Sequence, residues 1–192
     1  MPRLHGKRER RHQPFYDSIT RTTGAPATAI NSTGSLFGNA NVGTTALTNL
    51  QVAGQLASDQ TYIILALRCY LYFNGTNRRA NYLRVSSQLW FTLFVGDKPM
   101  FQCPAWYFPQ GGGIWGYDSG TSVFCNGVPT QEAILKLAKP ITVPVRQNFK
   151  VDWNFYVMGA ATDALVNLNT GATNDEKCIQ FYIDGVQTRD VQ

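Results

Sequence analysis

Charged residues are scarce in this chain. They make up 15% of its 192 residues, whereas ordinary soluble domains carry roughly 25%. A surface so poor in charge is a solubility risk for a free monomer. The composition therefore favours a subunit whose surface is covered by copies of itself.

Histidine is absent from residues 13–192, because both histidines, His5 and His12, lie near the N-terminus. The body of the chain therefore has no Ser-His-Asp or Cys-His catalytic group and no histidine ligand for a metal ion. We expect His5 and His12 to extend a polar, partly cationic surface.

Cysteine patterns typical of metal sites are also missing. Cys69, Cys103, Cys125 and Cys178 form no C-x-x-C pair. We predict buried free thiols, with a disulfide as the alternative. No run of 18 apolar residues is present, so we expect no membrane span. No apolar segment follows the N-terminal charges, so we do not expect a secretory signal.

The remaining candidates for catalysis are weak. Residues 111–113 are three glycines, but no phosphate-loop pattern follows them. The carboxylates Asp152, Asp163, Asp175, Glu176 and Asp184 could in principle supply a glycosidase pair. Asp152 and Asp184 stand at polar positions of alternating segments, so we expect solvated carboxylates. The sequence thus predicts no enzyme, no cofactor, no metal site and no small-molecule substrate.

Positive charge is concentrated at the N-terminus. Residues 1–11 hold five Lys or Arg and one Glu, a net +4 of the chain's +5. The five cations, which we predict to contact polyanions or neighbouring subunits, are Arg3, Lys7, Arg8, Arg10 and Arg11. Such cations bind phosphates without sequence preference or attract anionic lipid headgroups. Nucleic acid, an internal membrane and a neighbouring chain all remain possible partners.

Residues 1–49 are predicted to form an extended N-terminal arm, basic at first and polar afterwards. Residues 18–49 are rich in Thr, Ala, Asn, Ser and Gly, with Arg21 as the one charge, which is typical of a flexible linker. A polar segment becomes ordered mainly when something lies against it. We therefore expect such arms to run along neighbouring subunits.

Residues 50–192 are predicted to form a sandwich of β-strands. Ile179, Phe181 and Ile183 alternate with polar residues, and residues 141–155 alternate around a break at residues 147–148. Further strands are expected at residues 61–73 and 85–95, the latter turning at residues 96–99 into a hairpin. Residues 132–139 form a strand or a helical turn that Pro140 ends. The pattern indicates an all-β, antiparallel sandwich or barrel.

Outside the predicted strands, the densest aromatic cluster lies in the loop-like stretch from residue 104 to 127. Its members are Trp106, Tyr107, Phe108, Trp115 and Tyr117. Aromatic side chains anchor subunit interfaces, and they also stack on sugars or nucleotides. We predict an interface, with a ligand-binding loop as the alternative.

The layout resembles the single jelly-roll capsid proteins of tailless icosahedral viruses, including bacteriophages. The resemblance covers roughly residues 50–192 and is carried by the alternating segments Pro140–Phe155 and Cys178–Gln192 behind a basic arm. It implies an eight-stranded jelly roll that self-assembles into an icosahedral shell.

A capsid protein of that kind would have copies of itself and other capsid proteins as partners. Its place would be the virion, assembled in the host cytoplasm, with the basic arm touching genome, inner membrane or neighbouring subunits. The alternative function is a carbohydrate-binding sandwich module of a virion spike, using Trp106, Trp115 and Tyr117.

Overall fold

The chain folds into two antiparallel β-sheets that pack face to face, which confirms the predicted all-β sandwich. The computed structural model describes residues 8–21, 31–38, 47–56, 59–71, 86–108, 115–116, 124–125, 134–156 and 176–190. Within these ranges, no helix is long and apolar enough to cross a membrane.

The described strands differ widely in length, from two to fifteen residues. They are β1 (Arg8–His12), β2 (Phe15–Arg21), β3 (Asn31–Leu36), β4 (Gln60–Leu71), β5 (Leu89–Val95), β6 (Lys98–Pro104), β7 (Trp115–Gly116), β8 (Phe124–Cys125), β9 (Leu135–Val143), β10 (Phe149–Tyr156) and β11 (Glu176–Asp190). A single 3-10 turn, Ala105–Tyr107, follows β6.

Strands from the two ends of the chain pair with one another in a nested order. β1 and β2 lie end to end along β11, β3 pairs with β10, β4 with β9, and β5 with β6. The larger sheet has the order β1/β2–β11–β4–β9, and the smaller sheet has the order β3–β10–β5–β6. The short strands β7 and β8 pair with each other.

The region that we assigned to the N-terminal arm supplies three of these strands. β1 runs antiparallel to the end of β11, with Arg8 opposite Asp190 and His12 opposite Val186. β2 continues along the same strand, with Phe15 opposite Ile183. The described parts of the arm therefore lie against the chain's own sheets, where we had expected neighbouring subunits to order them.

Residues 47–50 cover the free edge of β2. The Asn49 side chain accepts a hydrogen bond from the Tyr16 N–H (2.9 Å) and donates one to the Pro14 carbonyl (2.7 Å). The Thr48 hydroxyl donates to the Tyr16 carbonyl at 2.9 Å. An exposed strand edge is a template for unwanted pairing, so these contacts protect β2 from it.

The core lies between the two sheets and is rich in aromatic rings. Phe91 of the smaller sheet and Phe181 of the larger sheet have ring centroids 5.0 Å apart. Near the other end of the sandwich, Phe15 packs on Tyr62 at 4.8 Å and on Phe149 at 6.3 Å. Phe15 is buried, so the segment that carries it is part of the core.

Two local expectations are wrong, and one is confirmed. Pro140 does not end its element, because β9 continues through it to Val143. β9 is an edge strand, and Pro140 lies where its pairing with β4 is interrupted, a position that tolerates proline. The strand expected from Val85 begins only at Leu89, after a helical stretch at residues 86–88. The hairpin turning at Gly96 is confirmed.

Candidate interaction surfaces

The basic N-terminal residues do not share one face of the molecule. Arg3 and Lys7 lie outside the described residues. Successive residues of β1 point to opposite sides of the sheet. Arg8, Arg10 and His12 therefore lie on the outer face of the larger sheet, and Arg11 lies on its inner side.

Polar contacts hold the inner side of β1 in place. Arg11 Nε donates to the Gln187 side chain at 2.6 Å, and Gln187, which is buried, donates in turn to the side chain of Gln60. Glu9 forms an ion pair with Arg189 at 2.6 Å. Arg11 is therefore engaged within the subunit, whereas Arg8 and Arg10 are exposed on the outer face of the sheet.

The outer face of the larger sheet combines aromatic rings with cations. Tyr16, Tyr182 and Arg68 are neighbours in one row across β2, β11 and β4, and Tyr70 stands in the next row beside Gln180. We call this surface, together with Arg10, His12 and Lys136, the basic aromatic face. Its members are Arg10, His12, Tyr16, Arg68, Tyr70, Lys136 and Tyr182.

The exposed part of the basic aromatic face is accessible to a partner. Tyr70 is 43% exposed, and Arg10, His12 and Lys136 are exposed as well. The Tyr16 and Tyr182 rings are half-buried and lie 5.9 Å apart. Together they present ring surfaces beside positive charge on one face of the sheet.

Electrostatics within the face are set by burial and by one ion pair. Burial, with a further contribution from Tyr16, raises the pKa of Tyr182, although Arg68 opposes the shift. The Tyr182 hydroxyl donates to Gln180 Oε1 at 2.7 Å. Arg68 pairs with Asp184, and the Arg68 side chain stays 41% exposed. Tyr182 is therefore a neutral hydrogen-bonding ring near neutral pH.

The predicted aromatic loop is divided by the turn after β6. Trp106 and Tyr107 are 62% and 52% exposed, and their rings meet edge to face at 6.5 Å. Phe108 is buried against Phe91 and Phe181. For Trp115 the structure describes only the backbone, paired with Cys125, and Tyr117 lies outside the described residues. Phe108 is thus a core residue, and Trp106 and Tyr107 are the accessible pair.

Two open hollows lie at the turns beside Gly96 and Gln147. Their volumes are about 370 and 640 Å³, and Gly96, Asp97 and Gln147 line both. Neither hollow is lined by Trp106 or Tyr107. The exposed aromatic pair therefore stands on the surface apart from both hollows.

The described acid–base candidates Asp152 and Asp184 contact different partners. Asp152 accepts a hydrogen bond from Ser35 and pairs with Lys150 at 2.7 Å. The expectation of a solvated carboxylate is wrong for Asp184, which is buried and paired with Arg68. Asp163 and Asp175 lie outside the described residues, and only the backbone of Glu176 is described. In the described ranges, no group of three or more His, Cys, Asp and Glu is placed to hold a metal ion.

Cys69 and Cys103 are free and buried, as predicted. Burial raises the pKa of Cys103 to about 12 and holds that of Cys69 well above its usual value. Both groups are therefore neutral thiols with little nucleophilic character.

Sequence reasoning missed the residues that extend the basic surface beyond the arm. Arg68 and Tyr70 stand at the outward positions of β4, where they alternate with the buried Leu67, Cys69 and Leu71. This alternation is visible in the sequence. Their place beside Tyr16 and Tyr182 depends on strand pairing across the sheet, which the sequence does not display.

Comparison with known proteins adds no family to this description. No protein-family model matches the chain, and no curated protein matches it.

Proposed function

We propose that this chain is a structural capsid subunit that self-assembles into an icosahedral shell. The nested strand order is the observation that carries the proposal. Each strand run of the first half pairs with its counterpart from the second half, and successive pairs alternate between the two sheets. This order supports an eight-stranded jelly roll, an architecture that capsid proteins share with lectins and cupins.

Because one fold serves many functions, the surface must support the assembly role independently. Interfaces are depleted in charged residues and enriched in aromatic ones. The chain carries 15% charged residues, and it exposes Trp106 and Tyr107 as adjacent rings. A neighbouring subunit that buries these two rings would gain the desolvated aromatic contacts typical of binding hot spots.

Within such a shell, the folded part of the arm holds its cations at a fixed edge. β1 pairs with β11, and Arg10 is exposed at its outer side. Genome, inner membrane and a neighbouring subunit are the three partners that this edge could meet.

Self-association of the purified full chain tests the proposal. Light scattering across a concentration series, with electron microscopy of negatively stained samples, should show closed particles. Replacing both exposed rings (Trp106→Ala with Tyr107→Ala) should raise the concentration needed for assembly by about tenfold or more, as expected for hot-spot residues. Tyr70→Ala, on a different surface, is the matched control and should assemble normally. A chain that stays monomeric at all concentrations would contradict the proposal.

The same exposed ring pair favours one other function, a carbohydrate-binding module of a virion spike. Aromatic faces stack on sugar rings as well as on protein. A glycan array with tryptophan fluorescence separates the two functions. Sugar-dependent quenching that is lost in Trp106→Ala, in a chain that remains monomeric, would favour the carbohydrate module over the shell subunit.

A further inference from the structure

We propose that the basic aromatic face binds single-stranded nucleic acid, with Arg10, Lys136 and Arg68 near its phosphates and Tyr70 stacked on a base. The inference deepens the capsid proposal, because it names the partner of the basic region. It rests on that proposal only for the source of the nucleic acid.

Charge complementarity indicates an anionic partner outside the chain. Arg10, His12 and Lys136 are exposed on this face, and the Asp184 carboxylate among them is buried and already paired with Arg68. Among the described residues, the carboxylates that a second copy of the chain exposes for such a contact are Asp59 and Asp97. Glu9 and Asp152 are in ion pairs of their own, and Asp17 is buried.

The aromatic rings favour a single strand over a duplex. Unpaired bases stack on aromatic side chains that β-sheets display, and this mode of binding combines ring faces with a positively charged track. Tyr70 is 43% exposed beside Arg68, so its ring is accessible to an unpaired base. The bases of a duplex are already stacked on each other and cannot stack on it. The face therefore offers both elements of single-strand recognition on one side of the sheet.

The dimensions of the face suit several nucleotides. From the row of Gln180 and Tyr70 to the row of Thr188 and Arg10, the sheet extends over eight residue steps of β11. At about 3.3 Å per residue, this is about 26 Å. Single-strand sites of OB-folds hold roughly 4 to 16 nucleotides, and the length of this face suits the lower part of that range.

Fluorescence anisotropy of a labelled oligo(dT) strand, titrated with the full chain, tests the proposal. Tyr70→Ala should weaken binding about tenfold or more, and Tyr70→Phe, which keeps the ring, should restore it. Arg10→Ala should weaken binding and lower the slope of log affinity against log salt by about 0.7. Trp90→Ala, at a ring that is 39% exposed on the smaller sheet, and Lys98→Ala are matched controls away from the face and should bind as the unchanged chain does. If Tyr70→Ala does not fold, Arg10→Glu at the exposed edge takes its place.

Three results would overturn the proposal: no binding of the single strand, equal losses in the face variants and their controls, or binding to anionic vesicles alone. Duplex DNA bound as tightly as the single strand, with Tyr70→Ala unaffected, would likewise exclude stacking. Particle formation, measured on the same samples, separates this result from the assembly role. A Tyr70→Ala chain that forms particles without binding oligo(dT) would leave the capsid proposal in place.

Discussion

Tyr62 forms hydrogen bonds where the strand pairing of the larger sheet is irregular. Its hydroxyl lies 2.6 Å from the carbonyl oxygen of Gln13 and 2.9 Å from that of Ile183, and the residue is 1% exposed. The pairing of β11 with β4 shifts between Asp184 and Gly185 at this level, and β1 gives way to β2 here. A Cβ atom on Gly185 would overlap the Ile63 carbonyl oxygen, so the close approach of the two strands requires glycine.

Replacing Tyr62 by Phe should lower the free energy of unfolding by about 1–3 kcal/mol, because buried carbonyls then lose their donor. Burial raises the pKa of Tyr62 above its ordinary value of 10.0. The unfolded chain therefore releases the phenol proton first, and the free energy of unfolding should fall as pH rises above 10. In Tyr62→Phe the free energy of unfolding should decrease less over the same pH range.

Urea unfolding followed by circular dichroism, below and above pH 10, measures both effects. Tyr107→Phe is the matched control, since Tyr107 is 52% exposed. If Tyr62→Phe and the unchanged chain lose the same stability at alkaline pH, groups other than Tyr62 cause the loss.

At the scale of elements, the buried carboxylate of Asp17 connects the two sheets through hydrogen bonds. Asp17 of β2 accepts hydrogen bonds from the N–H groups of Ser18 (2.9 Å) and Phe37 (2.5 Å). Phe37 follows β3 of the smaller sheet directly, and its ring packs on Phe149. This contact fixes the end of β3 against β2.

Asp17→Asn keeps the shape of the side chain and removes its charge. We expect a loss of about 1.5–3 kcal/mol, the range for hydrogen bonds to charged groups. Thermal unfolding measures the loss, with Asp152→Asn as a control in the half-buried outer face of the smaller sheet. Equal shifts in the two variants would contradict a special role for the Asp17 contact.

At the scale of the whole molecule, the first and last strands of the chain are one structural unit. β11 is flanked by β1 and β2 on one side and by β4 on the other. Removing β1 and β2 would take Phe15 out of the core and uncover one edge of β11. The N-terminal region is therefore a folding element as well as a carrier of positive charge.

Two truncations separate these roles. A chain without residues 1–7 keeps every described strand and should unfold cooperatively near the temperature of the full chain. A chain without residues 1–21 should lose cooperative unfolding, because β11 then lacks one partner. Circular dichroism during heating distinguishes the two, and an unchanged transition in the longer deletion would contradict this description. Only the shorter deletion tests the arm in assembly without disturbing the sheet.

The sequence by itself determined the fold class and the two faces of several strands. Alternation has a period of two residues and is local, so Ile179, Phe181 and Ile183 identify the buried side of β11 without any knowledge of its partners. The hairpin at Gly96 and the burial of Cys69 and Cys103 follow from equally local patterns.

Only the tertiary structure decided which strands are neighbours, and with them the candidate surfaces. β1 and β2 carry few apolar side chains, so the sequence predicts an arm at residues 8–21. Their pairing with β11 joins residues from nearly opposite ends of the chain. Backbone hydrogen bonds between strands do not depend on side-chain identity, which is why such a pairing leaves little trace in the sequence. Arg68, Tyr70 and Tyr182 thus come to share one face with Arg10 through strand order alone.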